Sequence, residues 1–385
     1  MHSNRFFTIF GKIYRNGIRW FYLRIRQEFR QPSLMFVADA MVAFKKFNRR
    51  LRGIFFKEKE NTADYVTAVY DLTASPITYD FAFFLASAEL FARKNNKSTF
   101  KVLFVPRNDD YTIEKEYQLA VDEENLKWRF ENIVLPLMSI YPACIGHSLL
   151  SQRSDVYEEI KGKLLYPEFY SESFFAVDFF RDVYASKNKI FGFSASTQGK
   201  RYIESWKKSN KITGKIVTLT LRRYKYEANR NSNIDEWVRF ARYVKEEGFT
   251  PVFIPDTETC FEHDPRLNDF IVFEAPCWNL GIRMALYEEV DLNFFTSNGT
   301  ATIAQLSRKT ASIMMKHVVP GSLQANLEVN EKRGISVGKK SYDMFEDQYQ
   351  VLSWEDDTFE NIREEFNRFL AERARPQYLS EPSIK

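Results

Sequence analysis

The chain has 385 residues, 44% apolar and 28% charged, with only 14 Gly and 13 Pro. That balance excludes disordered, collagen-like and low-complexity classes, and the length points to two cores rather than one. The net charge of +4 hides an asymmetry: residues 1–60 hold 14 Lys and Arg against 4 Asp and Glu, and the rest hold 41 against 47.

Three cysteines (Cys144, Cys260, Cys277) and four histidines match no disulfide framework, zinc knuckle or H-E-x-x-H pair, so no metal or other cofactor is expected and a reducing, cytoplasmic setting is. No run approaches the roughly 20 apolar residues of a spanning helix, and Phe6 to Phe10 is too short for a signal-peptide core. Between residues 13 and 56 basic and aromatic residues interleave, from Trp20, Phe21, Arg24 and Arg26 to Lys45, Lys46, Phe47, Arg49 and Arg50. Two readings stand. One is an amphipathic helix lying at the inner face of an anionic membrane; the other is a helical extension packed on the body. With no nucleic-acid motif beside the charge, nucleic acid is not an expected partner.

The first strand is Tyr65 to Tyr70. A helix follows from Thr78 to about Lys94, with Phe81, Phe84, Leu85, Ala88 and Phe91 on one face. A second strand, Phe100 to Val105, completes a βαβ opening. The spacing predicts a helix over Asp122 to Met138, a short strand over Tyr141 to Ile145, an aromatic-rich stretch over 156–188 and a helix ending near Ser209. From Lys211 to Gly214 onward the alternation is regular. Strands are expected at Ile216 to Leu221, Pro251 to Ile254, Phe270 to Phe273, Val290 to Phe295 and Ala311 to Met315. Helices are expected at Ser232 to Glu247, with Ser232 as N-cap and Gly248 as stop, at Asn279 to Glu288 and at Ala301 to Ser307. A last amphipathic helix, Glu355 to Ala374, is expected to pack across the other domain.

In a parallel sheet, ligands bind beyond the carboxyl ends of the strands. In the second half those ends read Arg222-Arg223, then Asp256, then Glu274, then Ser297-Asn298-Gly299-Thr300. Arginine offers phosphate a planar fork, a small polar turn entering a helix offers N–H groups, and the two carboxylates suit ribose or base. Asn229 and Arg230, in the loop after the arginines, are placed to fold over phosphates. This is a nucleotide-diphosphate pocket in outline. The blander reading of each piece is a surface ion pair (Arg222, Arg223), a turn former (Asp256) or a plain strand-to-helix turn (Ser297 to Gly299). In the first half Asp71 and Asp109 follow strands and are candidate bases for an acceptor hydroxyl, with His147 a further possibility.

Residues 190 to 315 resemble the C-terminal half of twin-Rossmann (GT-B) glycosyltransferases, especially the heptosyltransferase-like group. The resemblance lies in the helix bearing Trp237, the stop at Gly248, the strand Pro251 to Ile254, the helix Leu280 to Glu288, the strand Val290 to Phe295 and the turn Ser297 to Thr300. Thr302 stands where that group has a His. Thr220-Leu-Arg222-Arg223 is similar to the His-x-Arg-Arg motif of fucosyltransferase-like enzymes, with Thr220 in place of His.

The resemblance implies an α/β protein of two Rossmann-like domains facing a cleft. Residues 1–60 would be a basic helical N-terminal extension, 61–210 an acceptor domain, 211–354 a nucleotide-sugar-binding domain and 355–385 a C-terminal helix and tail. It also implies a metal-independent glycosyltransferase that takes a nucleotide sugar and a glycan or lipid-linked acceptor in surface polysaccharide synthesis. A sugar-nucleotide epimerase, or a non-catalytic glycan- or partner-binding scaffold, is the alternative.

Overall fold

The computed structural model describes residues 63–107, 121–168, 190–333 and 349–373, together with Tyr170, Val183 and Ile335. The N-terminal extension, Asp109 and most of the aromatic stretch after Glu168 lie outside the described residues. The chain divides into two compact units that interleave along the sequence. One comprises Met1–Ser75, Phe100–Tyr111 and His147–Ala176, the other Pro76–Thr99, Thr112–Gly146 and Val177–Lys385.

The first sheet has four strands, β1 (Tyr65–Asp71), β2 (Thr99–Val105), β3 (Cys144–Leu149) and β4 (Leu165–Tyr166), in the order β3-β2-β1-β4. β1 and β4 run parallel. From Val66 to Asp71 every residue of β1 is buried. Such unbroken burial marks a strand covered on both faces, where alternation would mark one wet face. Val69, Leu103 and Val105 pack with Val156, the first residue of a short helix, Val156–Ile160.

Helix α1 (Phe81–Lys94) lies where the apolar spacing places it. The expected helix over Asp122 to Met138 is continuous but not uniform. Helices α2 (Glu123–Arg129) and α3 (Leu135–Ser139) are joined through a π-helical turn, Phe130–Val134. Pro136 supplies the reason: it has no N–H to give the carbonyl one turn back, and a wider turn relieves the clash. Asp122 caps the start, accepting from Asn125 N at 2.8 Å. With Val156–Ile160 as α4, the next helix is α5 (Thr197–Ser209), capped by Ser196.

The second sheet has six strands: β5 (Ile216–Thr220), β6 (Thr250–Ile254), β7 (Ile271–Val272), β8 (Leu292–Thr296), β9 (Ser312–Met315) and β10 (Gln350–Leu352). Their order is β10-β9-β8-β5-β6-β7, and all five pairings are parallel. From β5 the chain steps outward through β6 and β7, returns to the other side of β5, and steps outward again through β8, β9 and β10. This is the doubly wound Rossmann order, with its reversal between β5 and β8. Every strand therefore presents its carboxyl end at one edge of the sheet.

Helix α6 (Ile234–Glu246) buries Trp237, Phe240, Ala241 and Val244 and stops at Gly248, whose φ of +83° suits a residue without Cβ. Its start corrects the expected cap. Ser232 does not cap the helix; its Oγ accepts from Arg222 N at 2.8 Å. Asn233 occupies the cap position without a side-chain bond, and its N–H donates to Asp357 Oδ2 at 2.8 Å. Helices α7 (Ala275–Trp278), α8 (Leu280–Glu288), α9 (Ala301–Gln305) and α10 (Leu327–Lys332) follow.

The last helix, α11 (Phe359–Arg373), also departs from expectation. Instead of reaching another domain, it packs on the second sheet's own core. Phe366 lies 5.7 Å from Phe240, 5.4 Å from Phe249 and 6.5 Å from Phe294, centroid to centroid. Ile362 and Phe369 complete the buried stripe. Phe366→Ala removes a fully buried ring and should destabilise the protein by about 3–5 kcal/mol. A lowered urea midpoint at unchanged slope is the expected reading.

Candidate functional site

The carboxyl edge of the second sheet is roofed by two loops. The loop after β5 begins with Arg222, only 6% exposed. Its NH1 donates to Glu227 O at 3.1 Å and Asn231 Oδ1 at 2.5 Å, and its NH2 to Tyr226 O at 2.6 Å. The guanidinium thus shapes its own loop, and the fork expected for phosphate is turned onto backbone and amide oxygens. Burial, with Arg230 nearby, pulls it down to about 10.

Arg230 bridges from this loop to the turn after β8. NH1 donates to Glu227 Oε2 at 2.7 Å, and NH2 to Ser297 O at 2.9 Å. The second loop, after β9, docks on the first. Glu227 Oε1 accepts from Ser322 Oγ at 2.8 Å and from Leu323 N at 2.5 Å, and Asn229 Nδ2 donates to Pro320 O at 3.1 Å. These bonds hold the Glu227 carboxyl below its ordinary range in spite of burial. Ser232 Oγ lies 2.9 Å from Thr296 Oγ1, closing the β5–β8 reversal from beneath.

The remaining expected residues divide. Arg223 is exposed and pairs with Glu262 at 3.3 Å. Asp256 accepts from Arg223 N at 3.1 Å and Glu258 N at 3.3 Å, the turn-forming role; burial raises its carboxyl. Glu274 is exposed beyond β7. Asn298 Oδ1 accepts from Thr300 Oγ1 at 2.9 Å and Ala301 N at 3.1 Å, and Gly299 O accepts from Thr302 N at 3.2 Å. The turn Ser297 to Thr300 therefore takes up the first two N–H groups of α9, which has only five residues. Gly299 has a different reason to be glycine: a Cβ there would stand 2.5 Å from Tyr79 Cδ2 and 2.9 Å from Tyr79 Cβ.

In the first unit Asp71 is 1% exposed at the end of β1. Oδ1 accepts from Thr73 N at 2.9 Å and Arg153 NH1 at 2.8 Å, and Oδ2 from Arg153 NH2 at 2.5 Å and Tyr170 OH at 2.7 Å. A carboxylate so filled has a positioning geometry rather than that of a free base. His147 is exposed and lies 6.1 Å from the Phe104 ring.

Four residues at the second sheet's edge escaped the sequence reading. Lys316, just past β9, donates to Asn231 O at 3.1 Å and pairs with Asp357 at 3.2 Å. His317 is 7% exposed beside Asn330, and among the described residues neither ring nitrogen makes a hydrogen bond of good geometry. Arg283, on α8, is 2% exposed; its Nε donates to Pro276 O at 2.6 Å and its NH1 to Tyr287 OH at 2.9 Å. Tyr79 presses on Gly299, and burial pushes its hydroxyl up to about 12. None of the four carried a sequence signal: Lys316 and His317 follow an apolar strand, Arg283 sits within a helix and Tyr79 lies in the turn before α1, where a lone polar residue is unremarked. Among the described residues no group of His, Cys, Asp and Glu could hold a metal ion, and no helix is long and apolar enough to cross a membrane.

Two predictions follow from this geometry. Gly299→Ala must displace the root of the Tyr79 side chain and should destabilise by about 1–3 kcal/mol, read as a lowered Tm. Burial, with Arg333 and Arg230 nearby, lowers His317 from 6.5 to about 4. As pH falls below 6.5 the unfolded chain takes up this proton first, so stability drops across pH 6.5 to 4 by up to about 3 kcal/mol and is unaffected above it. Wild type and His317→Gln compared by urea denaturation across that range should diverge by this slope.

No protein-family model matches the sequence, and no curated protein matches it. Among solved structures the chain is similar to a family 9 glycosyl transferase from Veillonella parvula, at 10% identity and a TM-score of 0.42, covering 80% of this chain and 98% of that one. It is similar to the ADP-heptose LPS heptosyltransferase II of E. coli, at 8% identity and a TM-score of 0.43, covering 81% and 100%. It is also similar to the NodZ α-1,6-fucosyltransferase, at 9% identity and a TM-score of 0.25, covering 63% and 93%. These neighbours are glycosyltransferases of the GT-B fold.

Proposed function

We propose that this chain is a metal-independent glycosyltransferase that moves a sugar from a nucleotide-diphosphate donor to a glycan or lipid-linked acceptor in surface polysaccharide synthesis. The observation that carries the reading is the β5–β8 reversal of a six-stranded parallel sheet, roofed by loops that carry the buried Arg222 and the half-buried Arg230 and Lys316. Ligands of doubly wound sheets sit at such a reversal, and positive charge there suits a departing diphosphate.

In this reading Arg222 and Arg230 shape the roof, and Arg223, Asn229, Asp256, Glu274 and the turn Ser297 to Thr300 line the donor's approach. The basic segment 13–56 would keep the protein at the cytoplasmic face of the membrane, near a lipid-linked acceptor. Asp71 or Asp109 would serve as base. A second reading, a non-catalytic scaffold, draws on the closed Asp71–Arg153–Tyr170 network.

A thermal-shift panel with ADP, GDP, UDP, CDP and dTDP tests the proposal. One nucleotide at ~100-fold its Kd should stabilise the protein by about 2.7 kcal/mol, and its sugar conjugate should be turned over with an acceptor. Asp71→Asn should then lower turnover by about 100-fold or more if Asp71 is the base. Binding without turnover favours the scaffold, and the absence of any nucleotide response sinks the donor reading.

A further inference from the structure

Arg283 is the most deeply buried arginine described at this edge, and its nearby carboxylate, Asp256, acts on it only from a distance. At 2% exposure, its guanidinium uses two donors, on Pro276 O and Tyr287 OH. Among the described residues no carboxylate forms a salt bridge with it, and its NH2 donates no hydrogen bond. A buried guanidinium without an anion is a costly arrangement; proteins keep such groups where something else brings the charge.

Its surroundings are phenolic and thiol. Tyr287, Tyr79 and Cys277 lie around the guanidinium, and the neutral Tyr79 and Cys277 bring it no negative charge. Tyr287 OH lies 3.3 Å from Thr220 Oγ1, the last side chain of β5. Tyr79, whose hydroxyl has no hydrogen-bond partner among the described residues, packs on Gly299 of the turn after β8. Arg283 and Tyr79 thus flank the two strand ends that form the reversal, each with an unused donor. The nearby carboxylate, Asp256, is held by Arg223 N and Glu258 N; its charge is felt by Arg283, but it offers no direct acceptor to the guanidinium.

We propose that Arg283, assisted by the Tyr79 hydroxyl, is the anion contact of this edge and receives a phosphoryl oxygen of a diphosphate. The proposal rests on the donor reading above and assigns the phosphate contact to Arg283 in place of Arg222, whose fork is occupied. A phosphoryl group supplies both the charge and the acceptors that Arg283 NH2 and Tyr79 OH lack.

The test uses the full chain as wild type, Arg283→Lys, Arg283→Met and Tyr79→Phe. Each is titrated with inorganic pyrophosphate, the five nucleoside diphosphates and the matching nucleosides, with Tm and calorimetric Kd as readouts. Pyrophosphate should raise the wild-type Tm. Its Kd should weaken by about ten-fold or more in Arg283→Lys, which keeps the charge but loses the planar fork, and by a few-fold in Tyr79→Phe. Arg283→Met should not respond. Arg283→Lys keeps the test valid if the methionine variant fails to fold. Unchanged pyrophosphate affinity in the Arg283 variants overturns the proposal, as does a wild type that binds neither pyrophosphate nor any diphosphate. Arg283-dependent pyrophosphate binding without preference for any nucleoside diphosphate supports the anion site and sinks the donor reading instead.

Discussion

One buried carboxylate ties together the working edge of the second sheet. Asp357 is 1% exposed. Its Oδ2 accepts from Asn233 N and from Trp237 Nε1, each at 2.8 Å, and its Oδ1 lies 3.2 Å from Lys316 Nζ. It thereby joins the start of α6, the exit from β9 and the segment leading into α11. Burial raises the Asp357 carboxyl, and the two N–H donors and Lys316 are what favour its ionised form. Take it away and two N–H donors are left orphaned in the interior while Lys316 keeps Asp356 and Asn231 O, a heavier penalty than the loss of any one bond. The same Lys316 reaches back to Asn231 O, so the roof loop after β5 depends at one remove on a residue of the C-terminal segment.

The roof is held by charge more than by apolar packing. Glu227 is its centre, accepting from Arg230 on one side and from Ser322 and Leu323 on the other. Glu227 and Lys316 both adopt left-handed backbone, with φ of 51° and 54°, a conformation that non-glycine residues hold only where the surroundings over-determine it. Two such residues on adjacent loops, joined through Arg230, Asn231 and Ser297, describe a roof of one fixed shape. Preorganised dipoles and charges of that kind act on a ligand without reorganising.

How much of this was legible in the sequence follows from what each pattern reports. The strands of the second sheet and the helices around Trp237 and Met284 have long apolar runs or clear periodicity, and they lie within a residue or two of where that periodicity puts them. The three-residue β10 and the six-residue α10 are too short for a period to show, and they were invisible. The helix through Pro136 was legible as a helix but not as a π turn, because period reports which face is buried and not how the carbonyls pair. The destination of α11 was not legible either: Ile362, Phe366 and Phe369 announce a buried stripe, while its partners Phe240 and Phe249 are more than 100 positions away. In the candidate site, strand-end polar residues were easy to find and hard to assign. A polar group at a strand end serves a ligand or the loops equally well in sequence; Arg222 and Asn298 turn out to serve their own loops, and Asp256 its own and the one after β5.

That sorting changes which residue matters. Buried polar groups at the ends of parallel strands have to be satisfied, and the chain meets the demand largely from within. Arg222 fills with loop oxygens, Asp71 with Arg153 and Tyr170, Glu227 with Arg230 and Ser322, and Asp357 with Lys316 and two N–H groups. Each of these sets is satisfied mainly from within the chain, and the Glu227 set still leaves Arg230 Nε buried without a hydrogen bond. Arg283 is charged, 2% exposed and only half used, at the one place where β5, β8 and Tyr79 meet. A group of that kind costs the free protein stability, and the anion contact proposed for it would offset that cost. The physical difference between those sets and Arg283, more than the number of polar residues at the edge, is the ground for proposing Arg283 as the anion contact.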